Sequence, residues 1–421
     1  MSEYRPRLAD KELSDALRAF GAVLITGPKW SGKTTTASRI AASVLKLQDP
    51  DTKERNLALA RLRPSTLLKG DNPRLIDEWQ EAPQLWDAVR MDVDERGERG
   101  LYILTGSVNV DEGAISHSGT GRIYRMRMNT MSLFESGDSN GSISLRSLFE
   151  GTSEVEGSSD VSLRGVASLL VRGGWPESIG MDEDIAMMIV RGYCESILNT
   201  DVSEADGKSR DARRVRGLMR AMSRGISQPV SKASIAEDMR AVEGSPISAN
   251  TLDDYMSALR AICVLDEMQA WNPNLRSKTA IRTSDTLHLC DPAIAAYFLS
   301  ASPDDLMNDP RTFGLLFESL VVRDLRIYAR SIGGDVFHYR DKTGLEADAV
   351  IHLNNGRWAL VEVKLGESWV DEGAANLIKL RDRINTDTMG EPSFMAVIIA
   401  TGVAYTREDG VHVIPITCLR D

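Results

Sequence analysis

This chain of 421 residues has few cysteines, no excess of basic charge and no long apolar run, and each of these features argues against a class of protein. Its four cysteines lie far apart with no C-x-x-C spacing, so neither a disulfide framework nor a zinc knuckle is expected. No apolar stretch approaches the roughly 18 residues that cross a bilayer, and the N-terminal residues lack the apolar core of a signal peptide. These absences predict a cytoplasmic protein without a membrane-spanning segment.

Acidic residues outnumber basic ones by 61 to 50, which gives a net charge of −11. This balance argues against a surface coated in basic residues for nonspecific binding of nucleic acid, while a local basic patch remains compatible with it. Apolar residues make up 42% and charged residues 26% of the chain, which are ordinary values for a globular protein. At roughly 150 residues per domain, the length predicts two to three domains.

A complete phosphate-binding motif, G-x-x-x-x-G-K-[ST], follows the first apolar run and precedes a helical stretch. It consists of Gly27, Pro28, Lys29, Trp30, Ser31, Gly32, Lys33 and Thr34, and Thr35 comes next. Glycines let backbone N–H groups turn around a phosphate, and the following helix adds its positive N-terminal end. Lys33 is expected to bridge the β and γ phosphates, and the Thr34 hydroxyl to bind Mg²⁺. The motif therefore predicts ATP and Mg²⁺ as cofactors.

Polar side chains with candidate roles in catalysis follow later apolar runs. Asp77 is expected to hold Mg²⁺ and Glu78 to orient or deprotonate the attacking water, although two acids in a row also suit a helix N-cap. Ser107, with Thr105 as the weaker alternative, is a candidate sensor of the γ-phosphate. Arg122 is either a γ-phosphate arginine, acting in its own chain or in a neighbouring one, or a solvated arginine. Together these residues predict hydrolysis of a nucleoside triphosphate.

The middle of the chain changes composition twice. Residues 136–165 are rich in serine, glycine and glutamate, which predicts a linker or a surface insertion. Residues 166–305 read as helical, and a turn at 244–246 between two helices, followed by apolar runs, predicts a winged helix for DNA or for a protein partner. One face of a predicted helix in this region carries Arg213, Arg216, Arg220 and Arg224. That face suits nucleic-acid phosphates or, because acids lie nearby, plain solvent.

Near the C-terminus, two predicted strands flank the turn Asn354-Asn355-Gly356, so that paired positions sum to 710. This register places Asp348 opposite Glu362, and Glu346 opposite Lys364. An acid facing a base is an ordinary ion pair, whereas two facing carboxylates destabilise a hairpin unless a cation compensates them. We therefore expect either a divalent cation at Asp348 and Glu362 or a structural partner for Asp348, which is a hydrogen-bond donor or a cation such as Arg340.

Several segments resemble, in order, a large prokaryotic family of AAA-type ATPases. They are GAVLITGPKWSGKTTTA, PRLIDEWQEAP, YILTGS, HSGTGRIYRMRM and MSLFE. The resemblance implies ATPase roles for Lys33, Thr34, Asp77, Glu78 and Ser107. It also implies the family's C-terminal domain of unknown function, to which five further segments are similar. They are GGWPE, LRSK, DPAIAA, FESLVVRDLR and LEADAV…VEVKLG.

The pattern D–x₁₃–E–V–K resembles the restriction-endonuclease-like, PD-(D/E)XK, core. This resemblance implies that Asp348 and Glu362 bind Mg²⁺ and that Lys364 orients the attacking water. Glu318, on the preceding predicted helix, matches an extra acid often found in that core. The alternative is a degenerate nuclease fold that is used for binding or assembly.

These observations predict an α/β chain in four segments. We expect an AAA-like P-loop ATPase domain at 1–135 and a linker or insertion at 136–165. We then expect a helical and winged-helix region at 166–305 and a PD-(D/E)XK nuclease-like α/β domain at 306–421. The leading hypothesis is a Mg²⁺-dependent ATPase that couples its nucleotide state to the nuclease-like domain. The alternatives are an ATP-gated nuclease acting on nucleic acid and a non-catalytic, ATP-switched regulator. DNA, RNA or a protein is a candidate partner, a membrane is not, and oligomers are compatible with the sequence.

Overall fold

The computed structural model describes residues 4–107, 119–152, 154–243, 247–273 and 284–421. The predicted turn at 244–246 and the LRSK segment at 275–278 lie outside these residues. The chain forms two compact units. The N-terminal unit comprises Met1–Thr130, Asp201–Lys208 and Ser257–Val264, and the C-terminal unit comprises Met131–Thr200, Ser209–Met256 and Leu265–Asp421. Within the described residues, no helix is both long and apolar enough to traverse a bilayer.

The N-terminal unit is built on a five-stranded sheet in the order β2-β3-β4-β1-β5, and every neighbouring pair is parallel. Its elements are α1 (Ala9–Ala19), β1 (Ala22–Thr26), α2 (Lys33–Ile40), β2 (Ser43–Lys46), α3 (Lys53–Leu62), β3 (Arg74–Asp77), α4 (Gln84–Arg96), β4 (Tyr102–Gly106) and β5 (Ile123–Arg127). Val23 and Ile25 belong to one apolar core, and Ala22 and Leu24 to another. Because β1 is buried on both faces, it reads as a continuous apolar run.

Parallel strands bring their carboxyl ends to one edge of the sheet. At that edge, β1 leads into the phosphate loop, β3 ends at Asp77, and β4 ends one residue before Ser107. Strand β4 lies between β3 and β1, and its register sets Thr105 beside Asp77. The fold therefore collects residues that are up to 80 positions apart in the sequence.

Residues 136–165 are not a linker, which corrects the prediction from composition. They contain ordered elements that belong to the C-terminal unit: α5 (Leu133–Ser136, from just before this segment), β6 (Ile143–Ser144), α6 (Leu145–Glu150) and β7 (Gly157–Ser158). Ile143 and Leu145 are buried. The serines that suggested a linker instead cap helices, since the Ser144 and Ser162 side chains accept hydrogen bonds from the backbone N–H groups of Ser147 and Gly165.

The middle of the chain is helical, as expected. It contains α7 (Leu163–Arg172), α8 (Glu183–Ser196), a π-helix (Ile197–Asp201), α9 (Val202–Glu204), α10 (Ala212–Arg224), α11 (Lys232–Glu243), α12 (Ala249–Ala261), α13 (Pro292–Leu299) and α14 (Pro303–Asn308). Antiparallel bridges join Leu265 to Leu289 and Met268 to Thr286. Helices followed by an antiparallel pair are compatible with a winged helix, which remains a prediction.

The four arginines of α10 are all exposed on one face, as the spacing predicts. Arg216 contacts Glu195 at 2.7 Å, and Arg224 pairs with Asp238. Two of the four guanidinium groups are therefore engaged by acids, which reduces the positive charge that this face offers to a nucleic acid.

The C-terminal part of the chain carries a seven-stranded sheet in the order β7-β12-β13-β11-β10-β9-β8. Its elements are α15 (Pro310–Ser331), β8 (Gly334–Arg340), β9 (Glu346–Leu353), β10 (Trp358–Lys364), α16 (Val370–Arg381), α17 (Thr386–Met389), β11 (Met395–Ile399), β12 (Val403–Thr406), β13 (His412–Pro415) and β14 (Leu419–Arg420). Strands β8 to β10 are antiparallel, and β11 is parallel to β10. Strand β14 pairs with β6.

The predicted hairpin register is confirmed where β9 and β10 pair, from His352 with Trp358 to Ala349 with Val361. The ladder ends there, so Asp348 and Glu362 are not a ladder pair. The Asp348 carboxylate instead accepts a hydrogen bond from the Val363 backbone N–H at 2.7 Å. The predicted pair of Glu346 with Lys364 is wrong, because Glu346 contacts Arg340 at 3.6 Å and Lys364 contacts Glu362 at 2.9 Å.

A buried ionic cluster holds part of the C-terminal unit together. Arg323 lies 3.0 Å from Asp291 and 2.7 Å from Asp324, and all three side chains are at most 3% exposed. The two carboxylates also accept backbone N–H groups, Asp291 from Gly174 and Asp324 from Leu133. Burial raises the pKa of Asp324, and the positive charge of Arg323 partly offsets this increase. This cluster fixes the segment around Leu133 to helices far along the chain.

Candidate nucleotide-binding site

The phosphate loop depends on two glycines that no other residue can replace without strain. Gly27 has φ 151°, and a Cβ atom there would lie 2.0 Å from the Met128 carbonyl oxygen. Gly32 has φ 96° and precedes the first turn of α2. Both positions need the conformational freedom of glycine. The loop thus wraps back over the end of β1 and delivers Lys33 and Thr34 to the N-terminus of a helix.

Lys33 is only 6% exposed, and its ammonium donates hydrogen bonds to the carbonyl oxygens of Gly27 at 2.9 Å and Pro28 at 2.8 Å. Burial lowers its pKa to about 8. The Ser31 hydroxyl is fully buried and has no hydrogen-bond partner among the described residues. A buried cation and an unsatisfied hydroxyl inside one loop fit a phosphate group, which would supply a negative charge and acceptor oxygens.

Asp77 is held by two hydroxyl groups. Its Oδ1 atom accepts a hydrogen bond from Thr34 at 2.7 Å and another from Thr105 at 2.7 Å. Mg²⁺ prefers oxygen ligands, often together with bound water. The hydroxyl of Thr34 and the carboxylate of Asp77 therefore form a donor set that fits this ion, and the alternative candidate Thr105 positions Asp77.

Glu78 has φ 55°, an uncommon conformation for a residue other than glycine. It precedes a short 3₁₀ helix, yet its side chain makes no capping hydrogen bond, which disfavours the interpretation of the two acids as a helix cap. Its carboxylate instead accepts hydrogen bonds from the Gln80 amide and from the Ser107 hydroxyl, the latter at 3.3 Å. The structure therefore brings Glu78 and Ser107 together, and adds Gln80, which the sequence did not single out.

Arg122 is not at this site. It precedes β5, at the amino end of that strand, and its side chain contacts Asp94 at 2.7 Å. Five strand residues span roughly 16 Å, so Arg122 lies at the opposite edge of the sheet from the phosphate loop of its own chain. The expectation of a γ-phosphate contact within the chain is therefore wrong. Arg127, at the carboxyl end of β5 and paired with Thr26, lies at the same edge as the phosphate loop.

Arg7 is a buried residue that sequence reasoning missed. Its guanidinium donates hydrogen bonds to the carbonyl oxygens of Ser31 at 2.7 Å and Asn129 at 2.8 Å. It thereby joins the phosphate loop to the chain that follows β5. Arg7 precedes the first helix and belongs to no motif, so only the folded contact reveals its role.

The phosphate loop also contacts the returning segment Asp201–Lys208. The Lys29 ammonium lies 2.6 Å from Asp201 and 3.6 Å from Glu204. Asp201 is 3% exposed. Burial alone would lower the pKa of Lys29, but the two carboxylates outweigh burial and raise it. Lys29 is therefore a charged residue whose counterions come from outside the loop.

Three carboxyl groups and a lysine meet in the C-terminal unit, separately from the phosphate loop. Burial, then the neighbouring carboxylates Asp348 and Glu362, raises the pKa of Glu318 well above its ordinary value. Burial and Glu362 likewise raise the pKa of Asp348. Lys364 and the Asn376 amide each contact Glu362, at 2.9 and 3.2 Å. The structure thus brings the four predicted residues together.

Existing hydrogen bonds occupy much of this cluster. In the described part of the chain, no group of three or more His, Cys, Asp and Glu side chains is arranged to hold a metal ion. A divalent cation would compete with Lys364 and Asn376 for the two carboxylate oxygens of Glu362. The backbone N–H of Val363 donates a hydrogen bond to Asp348, and this donor is the structural partner that the alternative to a metal site predicts.

Three family profiles match separate parts of the chain. Residues 19–136 match the family described as AAA domain. Residues 163–305 match a domain of unknown function, DUF8612, and residues 313–419 match another, DUF4143. The N-terminal domain is therefore a P-loop, AAA-like ATPase domain with an α/β fold, and this part of the prediction is confirmed.

Two relatives match over most of the chain, and the name of neither gives a function. Uncharacterized proteins of Mycobacterium tuberculosis and Mycobacterium bovis are each 23% identical over 362 residues, which is 85% of this chain and 73% of theirs. Among solved structures, a Walker-type ATPase of Pyrococcus abyssi is 14% identical, covering 70% of this chain and 99% of its own, with a TM-score of 0.43.

Proposed function

We propose that this protein binds Mg²⁺-ATP at the phosphate loop and hydrolyses it. The observation that carries the proposal is the convergence of Lys33, Thr34, Asp77, Glu78 and Ser107 at one edge of the parallel sheet. The match of residues 19–136 to the AAA domain family supports it. A phosphate-binding loop with its lysine, a hydroxyl and a carboxylate that suit Mg²⁺, and a second carboxylate that can orient water are the parts that hydrolysis of a phosphoanhydride uses.

Each residue has a distinct role in this proposal. Lys33 binds the phosphates, and Thr34 and Asp77 would hold Mg²⁺, which neutralises phosphate charge when it is bound. Glu78 orients the attacking water and accepts its proton, while Gln80 and Ser107 fix the carboxylate of Glu78. Arg7 positions the loop by holding the Ser31 carbonyl oxygen.

The affinity for ATP should depend on pH through Lys33, whose pKa lies at about 8. The protonated ammonium is the form that binds phosphate, so the free protein loses affinity as pH rises through 8. Titration with ATP and Mg²⁺ between pH 6.5 and 9.5 measures this. Lys33→Arg, which remains protonated throughout, should bind more weakly but without the loss above pH 8. No binding by the wild-type chain at any pH would refute the proposal.

We propose as a second candidate that the C-terminal unit has a nuclease-like fold whose carboxylates bind a divalent cation. The order α15-β8-β9-β10-α16-β11, with β10 and β11 parallel, supports the fold. The partly buried cluster of Glu318, Asp348, Glu362 and Lys364 supports the site. In this proposal ATP binding in the N-terminal unit controls access to the cluster, and the winged-helix region with its exposed arginines contacts DNA, RNA or a protein partner.

Two substitutions of Asp348 separate a cation site from a structural role. Asp348→Asn keeps an acceptor for the Val363 N–H but removes a carboxyl group whose pKa is raised by burial. The free energy of unfolding without metal at pH 7.5 should therefore rise or stay constant. Asp348→Ala leaves the N–H unsatisfied and should cost about 1–3 kcal/mol.

Thermal melting of the full chain with Mn²⁺ or with EDTA measures both effects. Mn²⁺ should stabilise the wild type by mass action and should leave Asp348→Asn unchanged. If the melting temperature of the wild type does not respond to Mn²⁺, the proposed cation site is wrong, and so is any metal-dependent cleavage of nucleic acid at this site.

A further inference from the structure

The loop residue Lys29 is neutralised by acids from a distant part of the chain. Asp201 and Glu204 are 172 and 175 positions beyond it, and the nearer contact measures 2.6 Å. An exposed lysine would ordinarily be solvated, and a surface ion pair would contribute little. Here the Asp201 side chain is only 3% exposed, so its buried carboxylate would lose the ammonium of Lys29 if Lys29 moved.

Lys29 also lies close to the position where phosphate binds. The ammonium of Lys33 donates to the carbonyl oxygen of Pro28, the residue just before Lys29. The positive charge of Lys29 contributes to lowering the pKa of Lys33, so the two ammonium groups interact. A phosphate that draws Lys33 away from Gly27 and Pro28 therefore changes the loop at the residue next to Lys29 and adds negative charge beside both lysines.

The segment that holds Lys29 is short and irregular. Asp201 is the last residue of the π-helix Ile197–Asp201, and Glu204 ends the three-residue helix α9. π-helical turns are rare, and they occur frequently at functional sites. Such a segment can change conformation at a lower cost than a regular helix, because fewer regular backbone hydrogen bonds must break.

We propose that Asp201 and Glu204 form a carboxylate latch that holds Lys29 in the nucleotide-free protein, and that nucleotide phosphate competes with them for this ammonium and releases the segment 201–208. The inference rests on the proposed function, because it requires nucleotide at the phosphate loop. It adds a regulatory contact, in which two acids take the place that phosphate charge later fills.

The latch predicts that removing an acid improves binding. Asp201→Asn should tighten ATP binding by about fivefold or more, the lower end of typical coupling between sites. In a Lys29→Met background, the same substitution should change the affinity by less than about twofold, because the two residues act through one contact. Asp206→Asn is the matched control, since Asp206 pairs with Lys208 at 3.2 Å in the same segment and should not alter affinity.

Calorimetric titration with ATP and Mg²⁺ measures these affinities. Hydrogen exchange of the wild-type chain gives a second readout that needs no variant: ATP should speed exchange of the amides between 201 and 208. Wild-type protein that binds ATP while Asp201→Asn binds equally or more weakly would overturn the latch, as would unchanged exchange in this segment. Wild-type protein that does not bind ATP would instead overturn the proposed function.

Discussion

Lys33→Ala is expected to abolish nucleotide binding, and Glu78→Gln is expected to retain binding while slowing ATP turnover by roughly 10²-fold or more. The first change removes the buried cation that faces the phosphates. The second keeps the shape of the side chain and its contacts with Gln80 and Ser107, but it removes the group that accepts the proton from water. The two variants therefore separate binding from chemistry.

Phosphate release under saturating Mg²⁺-ATP measures turnover, and titration with a non-hydrolysable analogue measures binding. Glu81→Gln is the matched control, because Glu81 lies three residues away and pairs with Lys53 at 3.0 Å. Its turnover should stay within about twofold of the wild type, as expected for a change at a surface ion pair. Unchanged turnover in Glu78→Gln would remove Glu78 from the mechanism.

The largest expected effect on stability comes from Arg323→Met. This change leaves Asp291 and Asp324 buried without their cation, and breaking a buried ion pair in this way costs about 3–5 kcal/mol. Arg164→Met is the control, because Arg164 is an exposed partner of Glu183 at 2.8 Å and its loss should cost at most about 1 kcal/mol.

Urea unfolding of the full chain measures both changes. Adding Asp291→Asn and Asp324→Asn to Arg323→Met should recover part of the loss, since both amides can still accept backbone N–H groups while neither carries a charge. If Arg323→Met alone is as stable as the wild type, the ionic cluster contributes little to the free energy of unfolding.

The nucleotide site could be predicted from sequence because its geometry follows from local rules. The phosphate loop is a contiguous motif, and parallel strands place Asp77, Glu78 and Ser107 at the same edge wherever their strands end. Arg122 failed the same test because it precedes its strand rather than following it. Arg7, Gln80 and the contact of Lys29 with Asp201 could not be predicted, because each depends on a tertiary contact without a sequence pattern.

The register of β9 with β10 could be predicted because a turn of known length fixes it. The partner of Lys364 could not, since a long side chain can reach along its own strand to Glu362 as easily as across to Glu346. The segment 136–165 was misread because serine has two uses. Its abundance is typical of linkers, but here serine hydroxyls end helices, and the few apolar residues between them are enough to anchor the segment.

The pairing of β6 with β14 has a consequence for how this protein is made. Ile143 meets Leu419, so two strands that are neighbours in space leave the ribosome at very different times. At roughly 5–20 residues per second, the earlier strand waits about 14–55 seconds for its partner. During that interval β6 and the apolar residues beside it are exposed in the nascent chain. The pairing of β6 with β14 can therefore form only after Leu419 has been synthesised, which makes binding of a chaperone during translation more valuable for this unit.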